Sequence, residues 1–410
     1  MAGRSRFSQL VVKSPSSRLA IDGGTPVRKT LLPYGRQTVD AEDIASVVAV
    51  LRSDWLTTGP AVRRFEESFA AAIGAEHAVA VSNGTAALHA AMFAAGVGPG
   101  DEVITTPLTF VASANAARYQ GGSVVFADVQ RESLNINPVD VRRAVTSSTK
   151  AIVAVDFAGH PADLNELAAI ASERDCLLIE DAAHALGATY QGRAVGAIAD
   201  LTTFSLHPVK HITAGEGGVV ATNDAVLANR LRVFRNHGIT TDHRQRESQV
   251  SWEYEMVDLG YNYRLTDLQC ALAESQLRKS PVWLERRREI AAAYRQSLAT
   301  RSEVECPPLP RDRESAWHLF VLRLNLDRLR TGRVEVFRAL RAENIGVNVH
   351  YIPVPWHPYY ANQGYRRGQW PVAEAEYERV ISLPMWPSMT ADDVADTVAA
   401  VHKVLDAYQR

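Results

Sequence analysis

The sequence contains few of the residues and patterns that mark several protein classes. Its three cysteines, Cys176, Cys270 and Cys306, are far apart in the 410-residue chain and form neither a CxxC pair nor a disulfide framework, which is typical of a reducing cytosol. Its 44 Lys and Arg residues are matched by 46 Asp and Glu residues, so the chain has no overall basic bias for nucleic acid. No run approaches the ~20 apolar residues of a membrane span. We therefore expect a cytoplasmic protein that binds neither nucleic acid nor membrane.

Motifs of several common enzyme classes are also missing. The sequence has no GxGxxG between a strand and a helix, no GxxxxGK[ST], no HExxH and no GxSxG. These motifs mark dinucleotide-binding folds, P-loop proteins, zinc peptidases and α/β-hydrolases, respectively. Because the cysteines are not paired either, we expect no metal site.

Composition and patterning predict an α/β fold. Hydrophobic residues make up 46% of the chain and charged residues 22%, as in ordinary globular proteins. From about residue 40, helical patterns alternate with short runs rich in Val and Ile, of the kind that form buried parallel strands. The strand-like runs are EVITTP, SVVFADV, AIVAVDF, CLLIEDA, LTTFSLH and GGVVATN. This alternation predicts a mostly parallel sheet with helices on both faces.

The pattern changes near the two ends of the chain. Residues 1–20 carry four basic residues and no acid, which predicts a flexible tail. After residue 265 a long helix is predicted over 266–299, and shorter helical and strand patterns follow, including a strand over 347–351. We therefore predict a large domain over residues 21–265 and a smaller α+β domain over residues 266–410.

Four polar groups follow predicted strands or begin helices, where ligands collect in open α/β sheets. They are the segments Ser82-Asn83-Gly84-Thr85, Glu180-Asp181-Ala182-Ala183-His184, Phe204 to Lys210 with a Gly-rich return, and Gly260 to Asp267. A Gly and a hydroxyl at a helix N-terminus can bind an anion, and a desolvated lysine is a carbonyl nucleophile. Each group taken alone also has a structural explanation: a helix cap, a structural Asp, a core histidine or a solvated loop lysine.

Taken together and in this order, the motifs resemble the DegT/DnrJ/EryC1/StrS family of sugar aminotransferases. The resemblance extends from about residue 34 to the C-terminus and rests on SNGTAAL, TTPLTFVASANA, DFAGHPADL, EDAAHALGA, TTFSLHPVKHITAGEGGVV, RNHG, GYNYRLTDLQCAL and VHYIPV. It implies a pyridoxal-phosphate (PLP) enzyme of fold type I, in which a seven-stranded, mostly parallel sheet carries the cofactor, and a homodimer with shared active sites.

The resemblance also implies a role for each matching position. Lys210 binds the cofactor covalently, Asp181 pairs with the pyridine nitrogen, and His184 lies near the phenolic oxygen. The positions implied to stack on the ring or to hold the phosphate are Phe110, Gly84, Thr85 and Ser205, with Asn262 and Arg264 reaching the phosphate across the dimer interface. The positions implied to contact the sugar nucleotide are Tyr34, Trp55, Leu56, Thr57, His350 and Tyr351.

The implied reaction moves an amino group from glutamate to a keto sugar nucleotide, with the cofactor alternating between PLP and pyridoxamine phosphate. The lysine loop is most similar to family members that aminate C4 of a UDP-linked 4-keto-6-deoxy-N-acetylhexosamine. The alternatives are another keto sugar nucleotide, of the perosamine or 3-amino sugar type, a keto-cyclitol, or a non-catalytic PLP-binding sensor. One branch of the family has His in place of the lysine and dehydrates its substrate; Lys210 therefore favours transamination.

Overall fold

The computed structural model describes residues 18–241, residue 246 and residues 250–410. Most of the predicted tail, residues 1–17, lies outside the described residues. The end of that stretch is packed: Leu19 is 2% exposed, and a 3₁₀ turn covers Ala20–Asp22. The folded part of the chain therefore begins before residue 21.

Twelve α-helices are present in the described part of the chain. They are α1 (Ala41–Leu51), α2 (Pro60–Ile73), α3 (Gly84–Ala94), α4 (Val111–Tyr119), α5 (Pro138–Ala144), α6 (Leu164–Glu173), α7 (Ala225–Arg235), α8 (Asp267–Leu298), α9 (Arg333–Ala342), α10 (Pro358–Ala361), α11 (Pro371–Tyr377) and α12 (Ala391–Tyr408). Side-chain caps fix several of the starts: Asp40 and Asp43 form a capping box at α1, and Thr266 and Gln269 form one at α8, which satisfies N–H groups that have no acceptor within the helix.

The strands form one large sheet and two small ones. They are β1 (His77–Val81), β2 (Glu102–Thr105), β3 (Ser123–Phe126), β4 (Thr149–Val155), β5 (Leu177–Asp181), β6 (Thr189–Tyr190), β7 (Arg193–Ala194), β8 (Leu201–Ser205), β9 (Gly218–Thr222), β10 (Val304–Glu305), β11 (Arg313–Glu314), β12 (Phe320–Leu324) and β13 (Val380–Leu383). The large sheet has seven strands in the order β1-β9-β8-β5-β4-β2-β3.

Strand direction in the large sheet follows from the helices between the strands. The pairs β2–β3, β2–β4, β4–β5 and β5–β8 are parallel, and only β9 runs against its neighbours β1 and β8. Parallel neighbours need long crossovers; helices supply those between β2, β3, β4 and β5, and a loop with the β6–β7 hairpin supplies the one from β5 to β8. The predicted α/β fold with a mostly parallel seven-stranded sheet is thus confirmed. The carboxyl ends of β4, β5 and β8 meet at one edge, where polar side chains follow each strand.

The apolar core continues across the predicted domain boundary. One cluster joins Val79 and Ile179 of the large sheet to Val321, Val354 and Tyr360 from the C-terminal third of the chain. A second cluster packs α8, α9 and α12 around β12 and includes Leu19 and Leu32 from the N-terminal segment. The division at residues 265 and 266, which coincides with the start of α8, remains a prediction.

A buried ion pair fixes the N-terminal segment to the C-terminal helices. Lys403 in α12 donates to Glu343 Oε2 at 2.8 Å and to the Thr25 carbonyl at 2.8 Å. Glu343 also accepts from the backbone N–H groups of Ala20 and Val27. Because both charged groups are also hydrogen bonded to the backbone, the desolvation cost of burying them is offset. The N-terminal segment is thereby held in place a few residues before Tyr34.

Two further features of the fold bear on the sequence predictions. The segment predicted as a strand over residues 347–351 forms only the isolated bridge between Asn348 and Ser382, because the chain turns there into the wall of a cavity. Among the described residues, no helix combines the length and the apolarity that crossing a membrane requires.

Candidate active site

A cavity of about 880 Å³ opens where the parallel strands end and α3 begins. Ten of the residues singled out from the sequence line it, and they come from positions spread over more than 300 residues of the chain. They are Tyr34, Gly84, Thr85, Phe110, Asp181, His184, Ser205, Lys210, His350 and Tyr351. The parallel sheet brings them together because side chains at the carboxyl ends of neighbouring strands share one edge.

Lys210 lies in the loop that leaves β8. Hydrogen bonds from Leu206 N–H to the Gly217 carbonyl and from Ala214 N–H to the Leu206 carbonyl close this loop, and the Lys210 N–H donates to the His207 carbonyl at 2.9 Å. Burial lowers the pKa of Lys210 to about 8, although Asp181 opposes that change. A larger fraction of this amine is therefore neutral near pH 7 than for an exposed lysine, as a carbonyl nucleophile requires.

Asp181 is the last residue of β5 and is 6% exposed. Burial raises the pKa of its carboxyl group above the ordinary value, although hydrogen bonds from Ser113 and the Ala183 backbone and the charge of Lys210 oppose that change. Ser113 Oγ donates to Asp181 Oδ2 at 2.7 Å, and Thr109 Oγ1 lies 2.8 Å from Ser113 Oγ. Since the Ser113 proton goes to Asp181, Thr109 is the donor to Ser113. These bonds fix the carboxyl group at the cavity wall and stabilise its ionised form.

His184 belongs to a cluster of buried aromatic and imidazole rings beside Lys210. Its Nε2 lies 3.2 Å from the Tyr351 hydroxyl, and its ring centroid lies 4.3 Å from that of His318. Burial lowers the pKa of His184 and of His318 well below the ordinary value, so both rings are neutral at pH 7. The Nδ1 atom of His184 is buried and has no hydrogen-bond partner among the described residues.

The start of α3 faces Ser205 across the cavity floor. Gly84 and Thr85 are the first two helical residues, whose N–H groups have no acceptor within the helix, and the Asn83 side chain caps Ala86. A Cβ at Gly84 would lie 3.0 Å from Ser205 Cβ, and one at Gly218 would lie 2.4 Å from the Asn83 carbonyl oxygen. Both glycines therefore let β8 and β9 approach the start of α3 closely, where the positive end of the helix dipole favours an anion.

The outer wall carries rings and a second histidine. Phe110 is 57% exposed although it lines the cavity, and its ring centroid lies 6.1 Å from that of Tyr351. Tyr34 packs against His350 with a centroid separation of 5.6 Å, and His350 Nδ1 lies 2.8 Å from Ser382 Oγ. Burial lowers the pKa of His350 to about 3, so this wall presents a neutral imidazole and phenol groups.

Three predicted substrate contacts lie away from this cavity in the chain described here. Trp55 lines a separate surface depression between α1, α2 and α8. The Leu56 carbonyl accepts from Asp267 N–H at 3.1 Å, and Thr57 forms a backbone bridge with Thr266. The segment is fixed at the start of α8, where Asp267 also accepts from the Gly59 and Ala61 N–H groups. Within one chain, these three residues do not line the cavity that contains Lys210.

Asn262 and Arg264 also lie outside the cavity, whereas their neighbours line it. The segment is extended, so alternate side chains point in opposite directions: Tyr261 and Tyr263 face the cavity, and Arg264 donates to Asn236 Oδ1 at 2.9 Å in a second cavity. Asn262 is exposed. Asn262 and Arg264 therefore lie outside the cavity in which Gly84, Thr85 and Ser205 of the same chain are expected to hold the phosphate.

The structure adds site residues that the motifs did not single out. Ser113 holds Asp181, His318 packs on His184, and His89 bonds the Tyr263 hydroxyl through Nδ1 at 3.1 Å. Ser113 lies on the inner face of α4, three residues after Phe110, so helical periodicity combined with the TFVAS motif could have indicated it. Nothing in the sequence near His318 indicates a site, because the residue reaches the cavity wall only through tertiary packing.

The comparison with protein families now decides the class. A model of the DegT/DnrJ/EryC1/StrS aminotransferase family matches residues 37–402. The chain belongs to this family. It is therefore a PLP-dependent aminotransferase, which confirms the enzyme class and the cofactor expected from the motifs.

Individual relatives agree with this assignment. The chain is 43% identical over 381 residues to the spore coat polysaccharide biosynthesis protein SpsC of Bacillus subtilis, covering 92% of this chain and 98% of SpsC. Its fold is similar to Helicobacter pylori PseC, an aminotransferase involved in the biosynthesis of pseudaminic acid, with a TM-score of 0.85, 31% identity and coverage of 92% and 99%. The putative sugar aminotransferase Spr1654 of Streptococcus pneumoniae, in its PMP form, gives a TM-score of 0.85 at 30% identity, with coverage of 91% and 100%.

The cavity of this aminotransferase suits the chemical groups of PLP. An amine of lowered pKa, Lys210, can bind the aldehyde, and the carboxyl group of Asp181 can hydrogen bond with the ring nitrogen. The N–H groups of Gly84 and Thr85 and the Ser205 hydroxyl can hold the phosphate. The Nδ1 atom of His184, which has no hydrogen-bond partner in the described part of the chain, is a further polar group for the ring substituents.

The lowered pKa of Lys210 predicts how cofactor capture depends on pH. Only the neutral amine attacks an aldehyde, so the rate at which cofactor-free protein takes up PLP should rise with pH and level off above about pH 8. Stopped-flow absorbance between about pH 6 and pH 10 measures this, because that range spans the lowered value and approaches the ordinary lysine pKa of about 10.4. A rate still rising tenfold per unit at the upper end would show that the amine is not perturbed.

Proposed function

We propose that the protein transfers an amino group from glutamate to the keto group of a sugar nucleotide, specifically to C4 of a UDP-linked 4-keto-6-deoxy-N-acetylhexosamine. The observation that carries the proposal is that Lys210 and Asp181 line the same cavity. The first supplies a nucleophilic amine, and the second supplies a carboxylate already aligned by Ser113 and Ala183. A helix N-terminus for the phosphate completes the site.

Each of these residues has a chemical task. When bound, PLP supplies an electron sink for the carbon next to the transferred nitrogen. Asp181 holds the proton on the ring nitrogen, because an ionised partner stabilises the cationic ring. Lys210 binds the cofactor aldehyde and then takes and returns the proton at the substrate carbon. Gly84, Thr85 and Ser205 hold the phosphate and so fix the ring relative to Lys210.

Two properties support a sugar nucleotide as acceptor. Two of the similar proteins carry names from carbohydrate chemistry, SpsC from spore coat polysaccharide and PseC from pseudaminic acid. The outer wall presents phenol and imidazole groups of Tyr34, Tyr351 and His350, which bind sugar hydroxyls through hydrogen bonds and ring contact. The cytoplasmic location belongs to the proposal, because such charged sugar nucleotides do not cross a membrane unaided.

We also propose a homodimer in which each subunit completes the site of the other. Asn262 is exposed and lies outside its own cavity. It follows a segment of exposed apolar side chains, with Trp252 at 82%, Met256 at 64% and Leu259 at 71% exposure. Several large apolar side chains exposed within one short segment are typical of an interface. A second copy covering it would bring Asn262 and Arg264 close to the phosphate of the other subunit.

The reaction can be tested in two separate halves. Glutamate should bleach the visible absorbance of the PLP-loaded enzyme, and the bleached enzyme should then aminate a keto sugar nucleotide from a panel of UDP-, GDP- and dTDP-linked 4-keto and 3-keto sugars, read by mass spectrometry. We expect the UDP-linked 4-keto-6-deoxy-N-acetylhexosamine to give the highest kcat/KM. The Lys210→Ala variant should lose multiple turnover at least a thousandfold with its fold intact, and Asp181→Asn should be strongly slowed.

The outcomes of this experiment separate the alternatives. A preference for a GDP- or dTDP-linked sugar would replace the proposed substrate and leave the reaction type standing. Bleaching by glutamate without any product from the panel would point to a keto-cyclitol acceptor. Visible absorbance that no amino donor bleaches would indicate a PLP-binding sensor, and multiple turnover by Lys210→Ala would overturn the site assignment.

The shared site can be tested by mixing two inactive variants. Homodimers of Lys210→Ala and of Asn262→Asp should each have little activity, the second because an added anion repels the phosphate. In a mixed dimer, one site then combines an intact Lys210 with an intact Asn262 from the other subunit. Unfolding and refolding the two proteins together should therefore restore up to a quarter of wild-type activity, since about half of the dimers are mixed and each has one working site. No recovery would place Asn262 in its own chain's site.

A further inference from the structure

Two fully buried carboxyl groups lie directly behind Asp181, and the mechanism above uses neither. They belong to Glu180, in β5, and to Asp156, which follows β4, and both side chains are 0% exposed. Glu180 precedes Asp181 in the strand, so its side chain points to the opposite face of the sheet from the cavity. The parallel register pairs Ala154 with Glu180 and Val155 with Asp181, which brings Asp156 to the same region.

Each carboxyl group has one oxygen that accepts a hydrogen bond from the surrounding fold. Asp156 Oδ1 accepts from the Ala162 N–H at 2.9 Å, and Glu180 Oε2 accepts from Thr202 Oγ1 at 2.9 Å. The other two oxygens, Asp156 Oδ2 and Glu180 Oε1, are buried and receive no donor from any other described residue. Adjacent parallel strands place the two carboxyl groups next to each other, and a hydrogen bond between them raises the pKa of Asp156 and lowers that of Glu180.

Such a contact requires a proton. Two ionised carboxylates only accept hydrogen bonds and repel each other, whereas one protonated and one ionised carboxyl group form a strong O–H···O⁻ bond. No ion pair within the described parts of the chain includes either group. The charged groups that face the pair are Asp181 and, on β7, Arg193, and a nearby Asp disfavours a second negative charge. Burial raises the pKa of both groups, and that of Asp156 most strongly.

We propose that Asp156 and Glu180 share one proton and thereby keep a single negative charge behind Asp181, which makes them positioning residues for the carboxylate that faces the cofactor. Two ionised groups would cost far more to bury, and two protonated groups would remove a charge that raises the proton affinity of Asp181. The Asp156 N–H also donates to the Asp181 carbonyl at 3.1 Å, so the pair is joined to Asp181 by the backbone as well as by the electric field.

The shared proton does not depend on the proposed function, whereas its effect on the cofactor does. Infrared spectroscopy of the purified protein in D₂O detects the carbonyl stretch of an un-ionised carboxylic acid and needs neither PLP nor substrate. At neutral pH the wild type should show this band, and Asp156→Asn and Glu180→Gln should each lose it, because each amide donates to the carboxylate that remains. The matched control is Glu376→Gln, a buried acid 3.1 Å from the Arg379 guanidinium, which should leave the band unchanged.

The second measurement is the pH at which the visible absorbance of the bound cofactor changes. The two single variants keep one negative charge and should leave this midpoint in place. The double variant Asp156→Asn/Glu180→Gln removes that charge and should move the midpoint down by about one pH unit, which is the Coulomb effect of one charge over roughly ten to fifteen ångströms at an effective dielectric constant of about 20. A residue that served only packing would not produce this pattern.

Each alternative charge state gives a different result and overturns the proposal. If both groups were ionised, the wild type would lack the infrared band and each single variant would shift the midpoint. If both were protonated, each single variant would keep half of the band and the double variant would leave the midpoint unchanged. Circular dichroism establishes that each variant is folded, and if one single variant does not fold, the other single variant still tests the shared proton. If the protein gave the infrared pattern but did not bind PLP, the shared proton would stand and the proposed function alone would be refuted.

Discussion

The site depends on burying an amine and a carboxylate in one cavity without letting them pair directly. No ion pair between Lys210 and Asp181 occurs in the described structure, so the amine keeps a lowered pKa of about 8 and the carboxylate keeps its oxygens directed by Ser113 and Ala183. A closed ion pair would raise the lysine pKa and remove its nucleophilicity. The separation is set by the sheet, because the two residues leave adjacent parallel strands, β5 and β8.

The rest of the fold maintains that separation. Helices on both faces and a core that continues into the C-terminal third of the chain fix the strand ends, and the Lys403–Glu343 pair holds the N-terminal segment that leads to Tyr34. Behind the sheet, Asp156 and Glu180 contribute a charge that acts on Asp181 through the protein interior, where electrostatic effects are larger than in water. The catalytic face and the buried face of β5 therefore carry acids with different tasks.

Much of this arrangement could be predicted from the sequence, because strand and helix patterns place the polar groups of the motifs at one sheet edge. Asp181 ends one strand, and Lys210 and the start of α3 lie a few residues after two others, so their convergence follows from the parallel topology. Other contacts could not be predicted, since they depend on tertiary packing: His318 arrives from a distant part of the chain, and residues 347–351 form cavity wall instead of a strand. Trp55, Leu56 and Thr57 lie outside the cavity of their own chain, and only contacts with another molecule could bring them to a ligand.

The central claim is that the cofactor is bound covalently at position 210. Reduction of the PLP-loaded enzyme with borohydride makes such a bond permanent, and proteolysis followed by mass spectrometry then locates the added mass on one peptide. The account predicts that a single lysine, Lys210, carries the phosphopyridoxyl group in the wild type and that the Lys210→Ala variant carries none. An unmodified Lys210 beside a labelled lysine elsewhere in the chain would contradict it.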